Sequence, residues 1–159
     1  HTIPSARNMG GKVIAIEPEP KNFEILKKNI KLNGLKNVIA INKGCFSKAG
    51  KLNFYLDESG IGGHSFINKD IGHKHIKINV DTLDNILKNL KIKRVNLIKI
   101  DVEGAEAEVL KGAIKTIKKS HPKIIFEAWD KGHLEKIGKI IKTLGYKIQR
   151  IDKENYVAI

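Results

Sequence analysis

The chain has 159 residues, 41% of them hydrophobic, and a formal net charge of +13. This length fits one domain with a substantial core, and the composition excludes a disordered or fibrous chain. No apolar run approaches the roughly 20 residues of a membrane helix, and no secretory signal is recognisable at the start. The single cysteine, Cys45, excludes an internal disulfide. It favours a reducing compartment, so we expect a cytoplasmic location and no membrane partner.

The positive charge is compatible with nucleic acid, an anionic membrane surface or an acidic substrate as partner. Lysines are spread evenly along the chain, arginine occurs only at Arg7, Arg94 and Arg150, and aromatic residues make up 6%. Proteins that read nucleic acids generally use more arginine and more stacking rings. The charge therefore favours a solvated, lysine-rich surface, with a nucleic-acid surface as the second interpretation.

The first elements in chain order are a short helix, a strand, a helix and a strand. The short helix is expected over residues 3–9. Residues 12–17 form an apolar, β-branched run that predicts a strand buried on both faces. Pro20 suits the first turn of the following helix, and Gly34 suits the position just past its end. Residues 37–42 predict the next strand.

Residues 44–80 show a different pattern. Two runs of alternating polarity, residues 51–56 and 75–80, are separated by a glycine-rich stretch. Such alternation predicts a hairpin-like, β-rich insertion or a sheet edge.

The remaining chain alternates between helices and strands. It predicts a helix capped by Asp81 or Thr82 and reaching Leu90, a strand at 95–100, a helix at 105–119, a strand at 123–126, a helix ending at Gly145, and an antiparallel strand pair at 146–151 and 156–159. Strands that alternate with helices imply an α/β fold with a doubly wound, mostly parallel sheet. We therefore expect one domain over residues 1–159.

Three acidic residues follow apolar strands: Glu17, Asp101 and Glu127. In open α/β sheets ligands bind outside the carboxyl ends of the strands. A carboxylate in the place of Glu17 can accept hydrogen bonds from both hydroxyls of a ribose. The simpler alternative is that Glu17 caps the helix that begins near Pro20. The glycine-rich turn that should precede such a strand is absent, so we expect a first strand before His1 or from a partner chain.

The stretch KIDVEGAE, residues 99–106, joins a buried strand to a helix. Asp101 ends the strand, Gly104 permits a tight turn, and Glu106 complements the positive end of the helix. An ordinary strand-to-helix turn with capping acids is the alternative. The density of acids after an apolar strand favours a functional site instead.

Four longer stretches stand in a characteristic order: VIAIEPEPKNFEILKKNIKLNGLKNV at 13–38, TLDNIL at 82–87, IKIDVEGAEAEVLKGA at 98–113 and IIFE at 124–127. Together they resemble the FkbM-like family of S-adenosylmethionine-dependent methyltransferases, over nearly the whole chain. The resemblance implies a Rossmann-like class I methyltransferase fold. It also implies that the glycine-rich motif I, with the first strand, lies before His1.

The resemblance also implies roles for cofactor binding. Glu17 would hold the ribose hydroxyls of S-adenosylmethionine, and Pro18 would turn the chain past the adenosine. Cys45 falls where such folds touch the adenine, although a small buried residue is an equally good interpretation. Asp101 would lie near the methionine end of the cofactor and near the acceptor.

For catalysis, the resemblance implies that Asp101 orients the amino group of the cofactor or takes a proton from the acceptor hydroxyl. Glu103 and Glu127 are further candidates for that proton. A methyl group on a sulfonium is already activated, so positioning and proton removal supply much of the rate.

Several residues of the insertion and of the last strand end are ambiguous. His64, His73 and His75 could be metal ligands or a general base, but their irregular spacing favours polar loop residues, and we predict no metal site. Together with Phe66 this loop is expected to cover the acceptor. Trp129 either lines the acceptor pocket or packs at the strand end.

The sequence thus predicts a methyltransferase that modifies a hydroxyl of a sugar or another small metabolite. Two alternatives stay open. The first is an RNA methyltransferase of the kind that modifies tRNA, which the charge of +13 suggests. A non-catalytic, truncated module that serves in assembly is the other, and an oligomer is compatible with each.

Overall fold

The computed structural model describes residue 6 and residues 10–56, 64–66 and 74–159. The strands are β1 (Val13–Ile16), β2 (Val38–Ile41), β3 (Gly44–Cys45), β4 (Gly50–Tyr55), β5 (His75–Asp81), β6 (Leu97–Ile100), β7 (Lys123–Glu127), β8 (Ile148–Arg150) and β9 (Asn155–Ala158). The helices are α1 (Pro20–Leu32), α2 (Leu83–Asn89), α3 (Glu106–Lys111), α4 (Ile114–Ser120) and α5 (Lys131–Thr143). The helix predicted over residues 3–9 lies outside the described residues except for Ala6, which is helical and buried.

The main strands form two parallel arrangements. β1 pairs in parallel with β2, and β6 pairs in parallel with β7, whose other edge receives the antiparallel pair of β9 and β8. This alternation confirms the predicted Rossmann-like α/β fold and its antiparallel C-terminal pair. Among the described residues, no strand pairs with the second edge of β1 or of β6. The expected first strand outside this chain stays a prediction.

The insertion is a β-rich unit, as predicted. β4 and β5 pair antiparallel from Gly50↔Val80 to Tyr55↔His75. The sequence did not indicate that β3 adds to β5 in parallel, with Cys45 opposite Asp81. This pairing joins the end of β2 to the start of α2, so it brings the insertion next to the carboxyl ends of the main strands.

The helix predicted over residues 105–119 is divided into α3 and α4 at Gly112 and Ala113. The carboxylate of Asp84 accepts hydrogen bonds from the backbone N–H groups of Lys115 and Thr116, at 3.0 and 2.8 Å, so it caps α4 from a neighbouring helix. At Gly112 a Cβ atom would lie only 2.1 Å from the carbonyl oxygen of Phe46. Tertiary contacts therefore break a helix that the local sequence would continue.

The core lies in the C-terminal half. Its fully buried side chains come from β7 and from the helices that cover it: Leu110, Ile117, Ile124, Phe126, Ile137 and Ile141. By contrast α1 has no buried residue, and the positions of β2 are only half-buried. No helix among the described residues has both the length and the apolar character needed to cross a bilayer.

Candidate active site

Two neighbouring strands, β6 and β7, end in carboxylates that lie close together. β6 and β7 are in register with Ile100 opposite Phe126, so Asp101 and Glu127 leave the sheet side by side. One oxygen each from Asp101, Glu103 and Glu127 lies within 4.8 Å of the others. We call these three residues the acidic cluster. The structure therefore brings together all three residues that the sequence proposed for catalysis.

The turn from Val102 to Gly104 has an unusual backbone. Glu103 has φ of 51° and Gly104 has φ of 97°, both in the left-handed region. A Cβ atom on Gly104 would meet the ring of Trp129 at 3.4 Å in a conformation that L side chains rarely adopt. Glycine is therefore needed here for its backbone conformation, and Trp129 packs directly on the turn.

Glu106 holds this turn from behind. Its side chain is fully buried, and its Oε1 accepts hydrogen bonds from the backbone N–H groups of Val102 and Gly104, at 3.2 and 3.4 Å. Its Oε2 lies 2.8 Å from Nε2 of His133. The sequence suggested only a helix-end role for Glu106, and nothing in it pointed to His133, which is 27 residues away.

The carboxylates of the cluster differ in their electrostatic surroundings. Burial raises the pKa of Glu127, a hydrogen bond from Trp129 offsets part of this effect, and the nearby charge of Asp101 raises the pKa further. Asp101 forms an ion pair with Lys99, with 2.6 Å between Nζ and Oδ2. The surroundings of Glu127 therefore favour its protonated form more than water does.

Glu17 lies at the end of β1 in a tight turn of its own. Its Oε1 accepts a hydrogen bond from the backbone N–H of Glu19 at 2.8 Å. Glu19, not Glu17, caps α1 by accepting from the N–H of Asn22 at 2.6 Å. Burial raises the pKa of Glu17, and the Glu19 N–H offsets part of that effect. The alternative that Glu17 is merely the helix cap is therefore wrong.

Asn42, which the sequence did not single out, braces this turn from β2. Its amide donates hydrogen bonds to the carbonyl oxygens of Glu17 and Pro18, at 2.9 and 3.1 Å. Both residues proposed for cofactor binding at this strand end are thus held by a side chain from the neighbouring strand. The recognisable signal would have been a polar residue at the end of the second parallel strand.

Cys45 is a half-buried thiol on β3, in the sheet that β3 forms with β5 and β4. Burial raises its pKa to about 12, although a hydrogen bond from the backbone of Leu83 lowers it in part. It packs against the core. A thiol with so high a pKa is not a nucleophile at neutral pH. Contact of Cys45 with an adenine stays a prediction.

Residues 64–66 of the insertion connect the two acidic strand ends. The hydroxyl of Ser65 donates to the carbonyl oxygen of Glu103 at 2.7 Å. The nearby His64 lowers the pKa of Glu17 slightly, against the larger effect of burial. Phe66 packs on Phe54 with 4.5 Å between ring centroids and covers Gly44, where a Cβ atom would lie 2.4 Å from its ring.

Two of the three histidines of the insertion lie against aromatic rings. His64 packs edge-on against Phe54, His75 lies against the ring of Tyr55, and His73 lies outside the described residues. In the described part of the chain, the acidic cluster is the group of potential ligands that lie close enough to share an ion. Its acids are half-exposed, which is common without a metal.

An open groove lies beside Glu17, between the start of α1 and the β4–β5 hairpin. It has a volume of about 730 Å³, within the range of about 300–1,000 Å³ typical of small-molecule sites. Its polar lining consists of Glu19, Lys21, Asn22, His64 and Lys74. The groove therefore combines the size of a metabolite site with two lysines in its lining.

A family model described as "Methyltransferase FkbM domain" matches residues 1–153. Methyltransferase sdnD of Sordaria araneosa is 25% identical over 170 residues, covering 87% of this chain and 66% of the relative. The hexuronic acid methyltransferase AglP of Haloferax volcanii is 29% identical over 106 residues, covering 67% of this chain and 43% of the relative. The chain thus spans two thirds of these relatives or less.

Solved structures with the same fold are also methyltransferases. A methyltransferase FkbM from Methylobacillus flagellatus has a TM-score of 0.67 at 19% identity, and the match covers 93% of this chain and 36% of that one. A precorrin-6y C5,15-methyltransferase from Geobacter metallireducens has a TM-score of 0.52 at 15% identity, covering 93% and 65%. At these identities the likeness supports the fold alone.

Proposed function

Because the chain belongs to the family of methyltransferases with an FkbM domain, we propose that it transfers a methyl group from S-adenosylmethionine to a hydroxyl oxygen of a sugar or another small metabolite. The observation that carries the catalytic part is the acidic cluster, whose oxygens lie within 4.8 Å of one another at the ends of two adjacent strands. Asp101, Glu103 and Glu127 are the proposed catalytic residues.

The residues at the end of β1 fit the ribose of this cofactor. Glu17 uses Oε1 for the N–H of Glu19, while Oε2 accepts no hydrogen bond from the described residues. Burial disfavours the charged form of this carboxylate and raises its pKa, so donors from two ribose hydroxyls would offset that cost. Pro18 would pass beside the adenosine. Cys45 is proposed at the adenine, behind Gly44.

The acidic cluster suits the other end of the same molecule. When bound, S-adenosylmethionine supplies a methyl group that its positive sulfur has already activated. Asp101 forms an ion pair with Lys99, with 2.6 Å between their charged atoms. We propose that Asp101 orients the amino group of the methionine part of the cofactor. Carboxylates of the cluster also favour a cation in their vicinity.

Glu127 is the proposed acceptor of the proton that the hydroxyl loses. Burial and the neighbouring charge of Asp101 raise its pKa, which makes its carboxylate a stronger base than an ordinary glutamate. Asp101 and Glu103 lie close enough to exchange roles with it. The residues therefore align the hydroxyl and accept its proton, and no covalent intermediate with the protein is needed.

An acidic sugar is the proposed acceptor. One relative carries the name hexuronic acid methyltransferase. The groove beside Glu17 has Lys21, Lys74 and His64 in its lining, which would attract a sugar carboxylate. Residues 64–66, which contact the cluster through Ser65, are proposed to lie over this acceptor.

Calorimetric titration of the full-length protein with S-adenosylmethionine tests the cofactor proposal. We expect binding, and we expect the substitution Glu17→Ala to weaken it about a hundredfold, since two charge-assisted hydrogen bonds contribute about 3 kcal/mol together. Glu24→Ala is the matched control, because Glu24 lies exposed on α1 and pairs only with Lys27. Absence of any binding heat in the wild type would contradict the proposal and favour the non-catalytic module.

Methyl transfer to glucuronate, a neutral hexose and tRNA tests the acceptor. We expect turnover with glucuronate and little with the neutral sugar. Transfer to tRNA, with binding that weakens steeply as salt rises, would instead support the RNA methyltransferase that the charge of +13 suggests.

A further inference from the structure

A buried acid–histidine pair lies directly behind the acidic cluster. We infer that Glu106 and His133 are positioning residues that fix the turn from Val102 to Gly104 and thereby place Asp101 and Glu103 for methyl transfer. The catalytic part of this inference rests on the proposed function. The structural part, that this pair sets the geometry of the turn, stands on the contacts alone.

Burying the carboxylate of Glu106 costs free energy. Its side chain is fully enclosed, and a carboxylate without partners in such a place strongly disfavours folding. Its two oxygens instead accept from Val102 N–H, Gly104 N–H and His133. Two of these partners belong to the turn itself. The hydrogen bonds that offset the cost of burying Glu106 are therefore the same ones that fix the turn.

The imidazole of His133 is held against Glu106 by α5. Its ring is nine-tenths buried, and Nε2 lies 2.8 Å from Oε2 of Glu106. Within the described residues Nδ1 has no hydrogen-bond partner. The backbone N–H of His133 donates to the Asp130 carboxylate that caps α5, at 2.8 Å. α5 therefore carries the imidazole to Glu106 as a rigid support.

The turn needs this support because its backbone is strained. Glu103 is a non-glycine residue with φ of 51°. Such conformations persist only where the surroundings determine them strongly. Without Glu106 the N–H groups of Val102 and Gly104 lose their acceptor. The turn would then relax, and the carboxylates of Asp101, which precedes it, and of Glu103, which lies within it, would move with it.

Trp129 provides a direct optical report on this turn. It is the single tryptophan of the chain. Its ring contacts the site of a Cβ on Gly104 at 3.4 Å and lies 4.8 Å from the ring of His133. A shift of the turn therefore changes the environment of the fluorophore, whether or not the protein turns over substrate.

The experiment compares Glu106→Gln, Glu106→Ala and His133→Phe with wild type in the full-length protein. Glutamine keeps an oxygen for both turn N–H groups, so we expect Trp129 emission and kcat close to wild type. Alanine removes the acceptor, so we expect a shifted emission and a kcat for glucuronate lowered about a hundredfold, the scale of a misplacement of about 1 Å. The Kd for S-adenosylmethionine should rise less than about tenfold, because the Glu17 turn is untouched and only the contact of Asp101 with the amino group shifts. The KM for glucuronate should change less than about threefold, because the residues that line the groove are untouched.

His133→Phe covers the case in which Glu106→Ala does not fold. It keeps a ring against Trp129 and removes the donor to Glu106, and we expect kcat to fall about tenfold. Glu108→Gln is the control, because Glu108 lies in the same helix as Glu106 and forms an ion pair with Lys111. It should match wild type in emission and kcat.

Each failure is distinguishable. If the wild type neither binds S-adenosylmethionine nor methylates glucuronate, the proposed function fails, while the emission of Trp129 still tests the support of the turn. If Glu106→Ala or His133→Phe lowers only the melting temperature and leaves emission and kcat unchanged, the pair is merely structural and the inference is wrong. Equal loss of kcat in Glu106→Gln and Glu106→Ala would also overturn it, because the oxygen acceptor would then not matter.

Discussion

The two acidic strand ends of this fold are supported in opposite ways. The turn after β6 rests on the core: Glu106 behind it is fully buried, and Trp129 packs on Gly104. The turn after β1 rests on a unit with little burial of its own, because α1 has no buried residue. Its main brace is the amide of Asn42, which is itself exposed.

This difference separates two tasks. The acidic cluster must hold oxygens at defined distances, and a packed core provides that rigidity. The Glu17 turn offers a half-buried carboxylate at the side of an open groove, where local hydrogen bonds suffice. Rigidity within the described residues is therefore concentrated at the proposed chemical end of the site.

The largest expected effect comes from the core under the cluster. Phe126 on β7 is fully buried, so Phe126→Ala should lower the free energy of unfolding by about 3–5 kcal/mol. Leu26→Ala on α1 is the counterpart, and we expect a loss of about 1 kcal/mol because this leucine is only half-buried. Urea unfolding of the full-length protein measures both. Equal losses would contradict the contrast and would show that α1 is covered by residues outside the described part.

The next effect concerns the close approach at Gly112. Gly112→Ala would place a Cβ atom 2.1 Å from the carbonyl oxygen of Phe46, so backbone must move. We expect a loss of about 1–3 kcal/mol in the free energy of unfolding. Gly11→Ala is the control before β1, since no atom lies within 4 Å of its Cβ position. Unfolding curves that coincide for both variants would mean that the α3–α4 junction yields easily.

Much of the fold was predictable from periodicity. The run at 12–17 and the strand at 123–126 showed continuous apolar residues, and the structure has β1 and β7 there. The junction at Gly112 was not predictable, since Asp84, which caps α4, lies 31 and 32 residues from the N–H groups it binds. At this junction a tertiary contact overrides the local helix propensity.

The proximity of the three proposed catalytic residues was also predictable. Asp101, Glu103 and Glu127 follow strands in the sequence, and their strands are neighbours, so their proximity follows from the parallel sheet. Asn42 offered only a weak signal, a polar residue directly after the second parallel strand. His133 could not be found in this way, because it acts through a side-chain contact with a distant element, and no pattern in the sequence encodes that contact.

A smaller effect is expected at the Glu17 turn. Asn42→Ala removes two hydrogen bonds to the carbonyl oxygens of Glu17 and Pro18. These contribute about 1–1.5 kcal/mol in an exposed setting, so the Kd for S-adenosylmethionine should rise about tenfold in calorimetry. Asn29→Ala, an exposed change on α1, should leave it unchanged. An unaltered Kd in Asn42→Ala would show that the turn holds its shape without this brace.

The smallest expected effects are changes in stability with pH, and they distinguish Glu127 from Glu108. Burial raises the pKa of Glu127 above 4.5, so the folded state binds its proton more tightly than the unfolded chain. This difference costs stability as pH rises above 4.5. Glu127→Gln should therefore raise stability at neutral pH by less than about 1 kcal/mol, with the gain vanishing in acid.

Glu108 has the opposite sign. Burial alone would raise its pKa, but hydrogen bonds from Lys111 and Ser47 outweigh burial and lower it below 4.5. Its contribution to stability is present above 4.5 and is lost as pH falls through the folded pKa. Glu108→Gln should therefore lower stability at neutral pH, by less than about 1 kcal/mol, and match wild type in acid. Melting temperatures from pH 3 to pH 8 measure both variants, and changes of the same sign at neutral pH would contradict the view that Glu127 is kept ready to take a proton while Glu108 is held charged.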